Sequence, residues 1–403
     1  MGRQGKEKRK ILMIAPTPYF SDRGCHVRIY EEAKALVALE HDVRICTYHL
    51  GRDVGAIPAW RIPRVPWYRK LAAGPSWHKI YLDLLLFFTA FKATREFAPD
   101  LIHAHLHEGV FVGFWIKKIF GIPLVFDCQG SLTGELVEHR FIRRGSWLYR
   151  GFHLLEGWIV RRAERTVCSA GPAARILIED FALPAEIVSV VADGVDVEVF
   201  RPGLEVSGLR RELNLPQNKL IAVFMGVMSE HQGVDLLLEA IASLKDGGHG
   251  YHFLLMGYPE EGYRRRAKEL GLDQRVTLTG RIEYSRAAEY LNLGDLALAP
   301  KMSDSEANAK LLNYMACGLP VIAFDNPVNR EILGEAGVLV PSGDVGALAE
   351  AIEKFGRDQA LRKRLAGAAR EKAVSEHGWN VAARRLELLY DDILVVRRPL
   401  SDD

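Results

Sequence analysis

The residues best suited to chemistry lie late in the chain, in the run Ala299-Pro-Lys-Met-Ser-Asp-Ser-Glu-Ala-Asn-Ala-Lys-Leu-Leu-Asn-Tyr-Met-Ala-Cys-Gly-Leu-Pro-Val-Ile-Ala-Phe. This run reads as a strand, a polar loop, a short helix, a Gly-Leu-Pro turn and a second strand. Such a loop leaves the C-terminal end of a parallel strand, where open α/β sheets bind ligands. The helix behind it offers N–H groups and the positive end of its dipole to an anion. Ser305 and Asn308 are candidate caps, and Lys301 and Lys310 add mobile positive charge on either side. These features suit a diphosphate leaving group, on which charge builds as a sugar–phosphate bond breaks.

A second group is Leu101-Ile-His-Ala-His-Leu-His-Glu-Gly, where His103, His105 and His107 alternate at a strand end. Alternate strand residues share a face, so the trio could hold a metal. No second ligand cluster accompanies it, and strand-end packing is the simpler expectation. No metal is expected.

The elements that position these groups follow from the apolar pattern. Short apolar runs alternate with longer amphipathic segments, as in parallel sheets with crossover helices. Strands are expected at Ile11–Ala15, Asp42–Tyr48, Leu101–Ala104, Pro123–Asp127, Thr166–Ser169 and Val188–Val191. After Phe200-Arg201-Pro202-Gly203 the pattern restarts, with strands at Leu220–Gly226, His252–Gly257, Val276–Thr279, Leu296–Pro300, Pro320–Phe324 and Val338–Val340. The fold class is therefore α/β, with two doubly wound Rossmann-like domains at 1–201 and 204–379.

Composition agrees with that division. A chain of 403 residues, 48% hydrophobic and 26% charged, fits two globular domains. Net charge is only +2, yet 27 Lys/Arg face 16 Asp/Glu through Arg175. A basic first half suits an anionic membrane surface or a phosphorylated acceptor. No nucleic-acid motif is present, so that partner is not expected. Five scattered cysteines without C-x-x-C spacing imply neither a disulfide framework nor a zinc site. The basic start leads into an apolar run that stops at Pro16, and the longest apolar stretch, Ile80–Phe91, is broken by Asp83. A cytoplasmic protein, peripheral at most to the inner face of a membrane, is expected. The mixture of basic and aromatic residues in Trp60–Lys70 and after Trp77 suits a membrane interface or a lipid-linked acceptor, with a core helix as the alternative.

The segment Lys-Leu-Leu-Asn-Tyr-Met-Ala-Cys-Gly-Leu-Pro-Val-Ile-Ala resembles the family-4 type retaining glycosyltransferases of the GT-B fold, and the resemblance extends over nearly the whole chain. It implies two Rossmann-like domains facing a cleft, with a final helix (about 380–403) crossing back to the first domain. It also implies sugar transfer from a nucleotide-diphosphate sugar to a hydroxyl acceptor such as a lipid-linked or cell-envelope glycan, without a cofactor. The family's two glutamates fall at Ser305 and Asn313 here. Glu306 stands beside the first position, and Asn313 can still hydrogen-bond a ribose. Leu311 lies in the same donor segment. In Phe224-Met-Gly-Val-Met-Ser-Glu-His-Gln-Gly, relatives carry an Arg and a Lys where this chain has Val227 and Gln232, beside Gly226. Lys301, Lys310 and Arg281 are expected to supply the missing charge. Gly24 matches the family's first phosphate-facing loop, and Gln129 stands where relatives often place a histidine. The replaced positions leave two alternatives, a silent GT-B binding protein or a nucleotide-sugar epimerase. A dehydrogenase lacks its Gly-x-Gly-x-x-Gly loop.

Overall fold

A computed structural model describes residues 8–21, 24–55, 57–71, 76–138, 141–244, 250–302 and 308–397. The chain divides into two compact units, Met1–Ala192 with Trp379–Asp403, and Asp193–Gly378.

In the first unit the strands are β1 (Lys10–Ala15), β2 (Asp42–Thr47), β3 (Ala59–Arg61), β4 (Leu101–His105), β5 (Leu124–Cys128), β6 (Arg165–Cys168) and β7 (Val188–Val190). Its helices are α1 (Gly24–Ala38), α2 (Lys79–Phe97), α3 (Leu106–Phe120), α4 (Leu132–Glu138), α5 (Trp147–Val160) and α6 (Gly171–Glu179). The sheet is parallel, in the order β3-β2-β1-β4-β5-β6-β7. Ile11–Ala15 and all of β4 and β5 are buried, which is why they read as unbroken apolar runs.

The second unit holds β8 (Leu220–Met225), β9 (Tyr251–Met256), β10 (Val276–Gly280), β11 (Leu296–Ala299), β12 (Val321–Asp325) and β13 (Gly337–Pro341). Between and after them run α7 (Ser207–Glu212), α8 (Val234–Ser243), α9 (Glu261–Glu269), α10 (Ala287–Leu291), α11 (Lys310–Ala316), α12 (Pro327–Leu333), α13 (Val345–Arg357) and α14 (Gln359–Glu376). The order β10-β9-β8-β11-β12-β13 is again parallel. In both sheets the winding direction reverses beside the first strand of the unit, between β1 and β4 and between β8 and β11. These are the switch points where ligands enter open α/β sheets.

Every expected strand is present, with ends shifted by a residue or two. The additional strand, β3, has three half-buried residues at the sheet edge, too few to carry a period. The boundary between units falls earlier than expected, after Ala192 rather than Arg201. Residues 193–200 belong to the second unit because Val195 N–H donates to His377 O and Arg370 binds the carbonyls of Val197 and Phe200. The last helix, α15 (Trp379–Arg397), joins the first unit. Arg9 donates to Asp391 at 2.7 Å, His41 lies 3.5 Å from Glu387, and the Tyr390 hydroxyl meets His103 Nδ1 at 2.5 Å.

Candidate functional site

At the second switch point, β8 ends at Met225-Gly226 and β11 ends at Ala299-Pro300-Lys301. The loop after β8 turns back at Gly233, which sits at φ 71°, and a side chain there would overlap Pro300 O. His231 O accepts from Met302 N–H at 3.2 Å. The two strand ends are thereby packed together, and Gln232 is delivered to α11.

Lys310 opens α11 and points into this junction. Its Nζ donates to Gln232 Oε1 at 2.5 Å and lies 4.5 Å from the centre of the Phe224 ring. A Cβ on Gly226 would stand 2.9 Å from the same nitrogen, so the glycine makes room for the lysine. Burial, and then the neighbouring Lys301, holds the Lys310 pKa well below the usual lysine value. Among the described residues no carboxylate pairs with Lys310. An anion placed here would reverse the penalty on its charge.

The junction is braced by groups that the sequence did not single out. Tyr314, buried on α11, accepts the Met225 N–H at 2.7 Å and ties that helix to the end of β8. A buried asparagine ladder holds the other side. Asn308 Nδ2 donates to Asn329 Oδ1 at 2.9 Å, Asn329 Nδ2 to Phe324 O at 2.7 Å, and Asn326 Nδ2 to Lys301 O at 3.1 Å. The only sequence signal was four asparagines within about twenty residues, a weak one because such residues usually cap or turn.

Several expectations change. Asn308 does not cap α11. The N-cap position is Ala309, without a side-chain bond, and the Asn308 side chain is committed to Asn329. Its Oδ1 is buried without a hydrogen-bond partner among the described residues. Leu311 is fully buried core, and its N–H is spent on Asn308 O, so it offers neither group outward. Asn313 is half-buried, with no side-chain hydrogen bond among the described residues. Arg281 follows β10, two strands away from β8, and its guanidinium lies 5.5 Å from the centre of the Tyr258 ring. Ser305 and Glu306 lie outside the described residues.

The first unit builds a different polar centre. Gly24 begins α1, whose Arg28 reaches Asp127 at the end of β5 through bonds of 2.9 and 3.0 Å. Arg28 also pairs with Glu32 at 2.9 Å. Asp127 Oδ2 lies 2.8 Å from His105 Nδ1 and accepts from Gln129 Nε2 at 3.0 Å. Gln129 is thus tied into an internal network. Burial opposes the Asp127 charge, but Arg28 and then His105 hold its pKa far below the carboxylate range. His103 is pulled down to about 3 by burial and by His105, whose ring centre is 4.7 Å away. Ligand atoms of Glu32, His103, His105 and Asp127 lie within 4.8 Å of one another, a spacing that could suit a metal. Arg28 already supplies the cation that both carboxylates need, so the group is neutralised from within.

His107 does not share a face with the other two histidines. The strand ends at His105, Leu106 turns the chain at φ 61°, and His107 enters α3. There it lies 3.4 Å from Glu156, which accepts the N–H groups of Leu132 and Thr133 at the start of α4. Burial lowers the His107 pKa, but the hydrogen bond to Glu156, Cys128 and the charges of Glu156 and Glu108 together outweigh it, and the net shift is upward.

Two parallel, doubly wound α/β units fit the GT-B fold. Residues 23–194 match the model of the glycosyl transferase 4-like domain, and 207–372 match that of glycosyl transferases group 1. The chain belongs to the family-4-like glycosyltransferases and is an enzyme of that kind. A D-inositol 3-phosphate glycosyltransferase of Thermobispora bispora is 29% identical over 397 residues, covering 92% of this chain and 90% of that one. The sucrose-phosphate synthase structure from Thermosynechococcus elongatus aligns with a TM-score of 0.79 at 21% identity, covering 96% of this chain and all of that one. Anabaena HepE, solved with UDP and glucose, aligns at 0.77 and 18% identity, covering 95% and 99%.

Proposed function

We propose that this enzyme transfers a glycosyl group from a nucleotide-diphosphate sugar to a hydroxyl of a lipid-linked or cell-envelope glycan, with retention of anomeric configuration and without a metal ion. The observation that carries the reading is the Lys310 ammonium, half-buried beside Gly226 and met, among the described residues, by an amide and a ring but no carboxylate. The bond between sugar C1 and the diphosphate oxygen breaks, and C1 bonds the acceptor oxygen on the face the diphosphate leaves. The acceptor's proton passes to the departing diphosphate. Lys310 and Lys301 balance the charge that builds there, in the place a divalent cation would otherwise take. Glu306 orients the sugar hydroxyls, Asn313 the ribose, and Ser305 and Asn308 the donor loop. Arg281 contributes longer-range charge, and Gly24 and Gln129 serve the acceptor side. The inositol phosphate in the name of the Thermobispora relative supports a hydroxyl acceptor, and UDP bound to HepE supports a nucleotide-sugar donor.

A thermal-shift screen with UDP, GDP, ADP and their sugars tests it. One nucleotide raises Tm in the wild type, with or without EDTA, and fails to do so in Lys310→Met. No shift for any nucleotide, or an undiminished shift in the variant, defeats the reading. An inverted anomer in the product would defeat retention alone.

A further inference from the structure

Exposed large apolar residues are distributed unevenly. In the second unit they are single and scattered, at Val199, Val227, Met302 and Val374. Isolated exposed side chains of that kind are ordinary. In the first unit they form stripes. On α2, Leu82, Leu86 and Ala90 pack inward, while Ile80, Leu84 and Phe88 are 57–71% exposed. On α3, Phe111, Trp115 and Ile119 face out with the same spacing of four. On α5, Trp147 is 80% and Leu154 74% exposed.

These helices form one continuous layer. Phe91 of α2 meets Phe120 of α3 at 5.2 Å, and Phe114 of α3 meets Trp158 of α5 at 5.4 Å. The segments leading into α2 and α5 also touch, through Trp77 and Phe141 at 5.4 Å. The stripes therefore belong to one surface, whereas soluble proteins rarely leave extended apolar patches bare.

Charge identifies what covers it. Exposed bases on and around this layer are Arg64, Arg69, Lys118, Arg143, Arg144 and Arg150, with Lys92 and Arg95 at the far end of α2. Among the residues from 61 to 158 whose side chains are described, the exposed acids are Glu96 and Asp100, both at that far end. Of the other carboxylates, Asp127 is buried, Glu135 on α4 is half-buried, and three are engaged by neighbours. Asp83 binds Tyr48, Glu108 binds Lys79, and Glu156 receives the N–H groups of Leu132 and Thr133. Apolar and aromatic side chains ringed by arginine and lysine fit the boundary between headgroups and acyl chains of an anionic bilayer. No helix among the described residues is long and apolar enough to cross a membrane, so the fit is to its surface.

We infer that the outer faces of α2, α3 and α5 form the surface by which this protein lies on an anionic lipid bilayer. This deepens the reading of a membrane-borne acceptor, and its test involves no sugar transfer. Full-length protein is floated with vesicles of phosphatidylcholine alone and of equimolar phosphatidylcholine and phosphatidylglycerol. Wild type partitions to the anionic vesicles at least about tenfold better than to the neutral ones, and raising salt from about 0.1 M to about 1 M weakens binding. Leu84→Ser/Trp115→Ser/Trp147→Ser, and separately Arg143→Glu/Arg144→Glu/Arg150→Glu, each lower partitioning about tenfold or more. Their Tm and nucleotide-induced thermal shift stay at the wild-type values, which separates loss of docking from loss of folding or of the donor site. Absence of binding, equal binding to both vesicles, or unchanged binding by both variants overturns the inference. Concentration-dependent dimerisation that the serine variant abolishes, seen by sedimentation velocity without vesicles, assigns the face to a second copy and overturns it too.

Discussion

The two sheets place polar groups at equivalent switch points and treat charge in opposite ways. In the first unit the Arg28 guanidinium is met by Asp127 and Glu32, and the histidines beside it are engaged or held neutral. In the second unit Lys310 meets the Gln232 amide and the Phe224 ring, with Lys301 adding charge of its own sign. Burying an ion without an opposite ion is costly, so a fold keeps such a group where a ligand will complete it. A satisfied network stiffens its surroundings, whereas an uncompensated charge marks where binding energy is available.

The largest effect expected from breaking this contrast is Arg28→Ala. It removes the guanidinium that two buried carboxylates share, leaving Asp127 with only His105 and Gln129 among its described partners, and should cost about 3–5 kcal/mol, measured by denaturant unfolding. An effect below about 1 kcal/mol would mean water enters that centre.

Next comes Lys310→Met, which removes a charge that no described carboxylate opposes. Transfer should fall about 100-fold in kcat/KM, while Tm without donor rises rather than falls. Its pH dependence has a definite sign. The native lysine pKa is depressed, so between that value and the ordinary lysine range the unfolded chain binds more protons. Wild-type stability therefore rises with pH through this window, and the variant loses the slope. A drop in Tm on substitution would show that Lys310 is structural.

The smallest effect probes the opposite imbalance. Near α2, Lys79 faces both Glu108 and Asp83, and burial, followed by Glu108, raises the Asp83 pKa to about 7. Here the native state holds a proton that the unfolded chain releases near pH 4, so stability falls as pH rises toward 7. Asp83→Asn should flatten that part of a Tm–pH profile, the reverse of the Lys310 slope.

The architecture was legible because buried parallel strands advertise themselves as apolar runs between amphipathic helices. The three-residue β3 carried no such period. Lys301 and Lys310 were legible as charges beside a strand-to-helix loop. Their setting was not, because Gln232 reaches Lys310 across 78 residues through a turn that depends on Gly233. The first unit's centre was hidden for a similar reason. Arg28 and Glu32, four apart on α1, look like an ordinary surface pair until the fold buries them against His103, His105 and Asp127. The histidines were visible, but the bend at Leu106 that sends His107 elsewhere was not.

The return of α15 has a consequence for how the polypeptide matures. The second unit is one uninterrupted stretch and can close as soon as it leaves the ribosome. The first emerges earlier, yet it lacks Tyr390 over His103 and Asp391 against Arg9 until the codons of α15 are translated. The first unit is therefore completed only after the second has been made, and a stop codon placed before α15 would injure the unit whose other elements were made first.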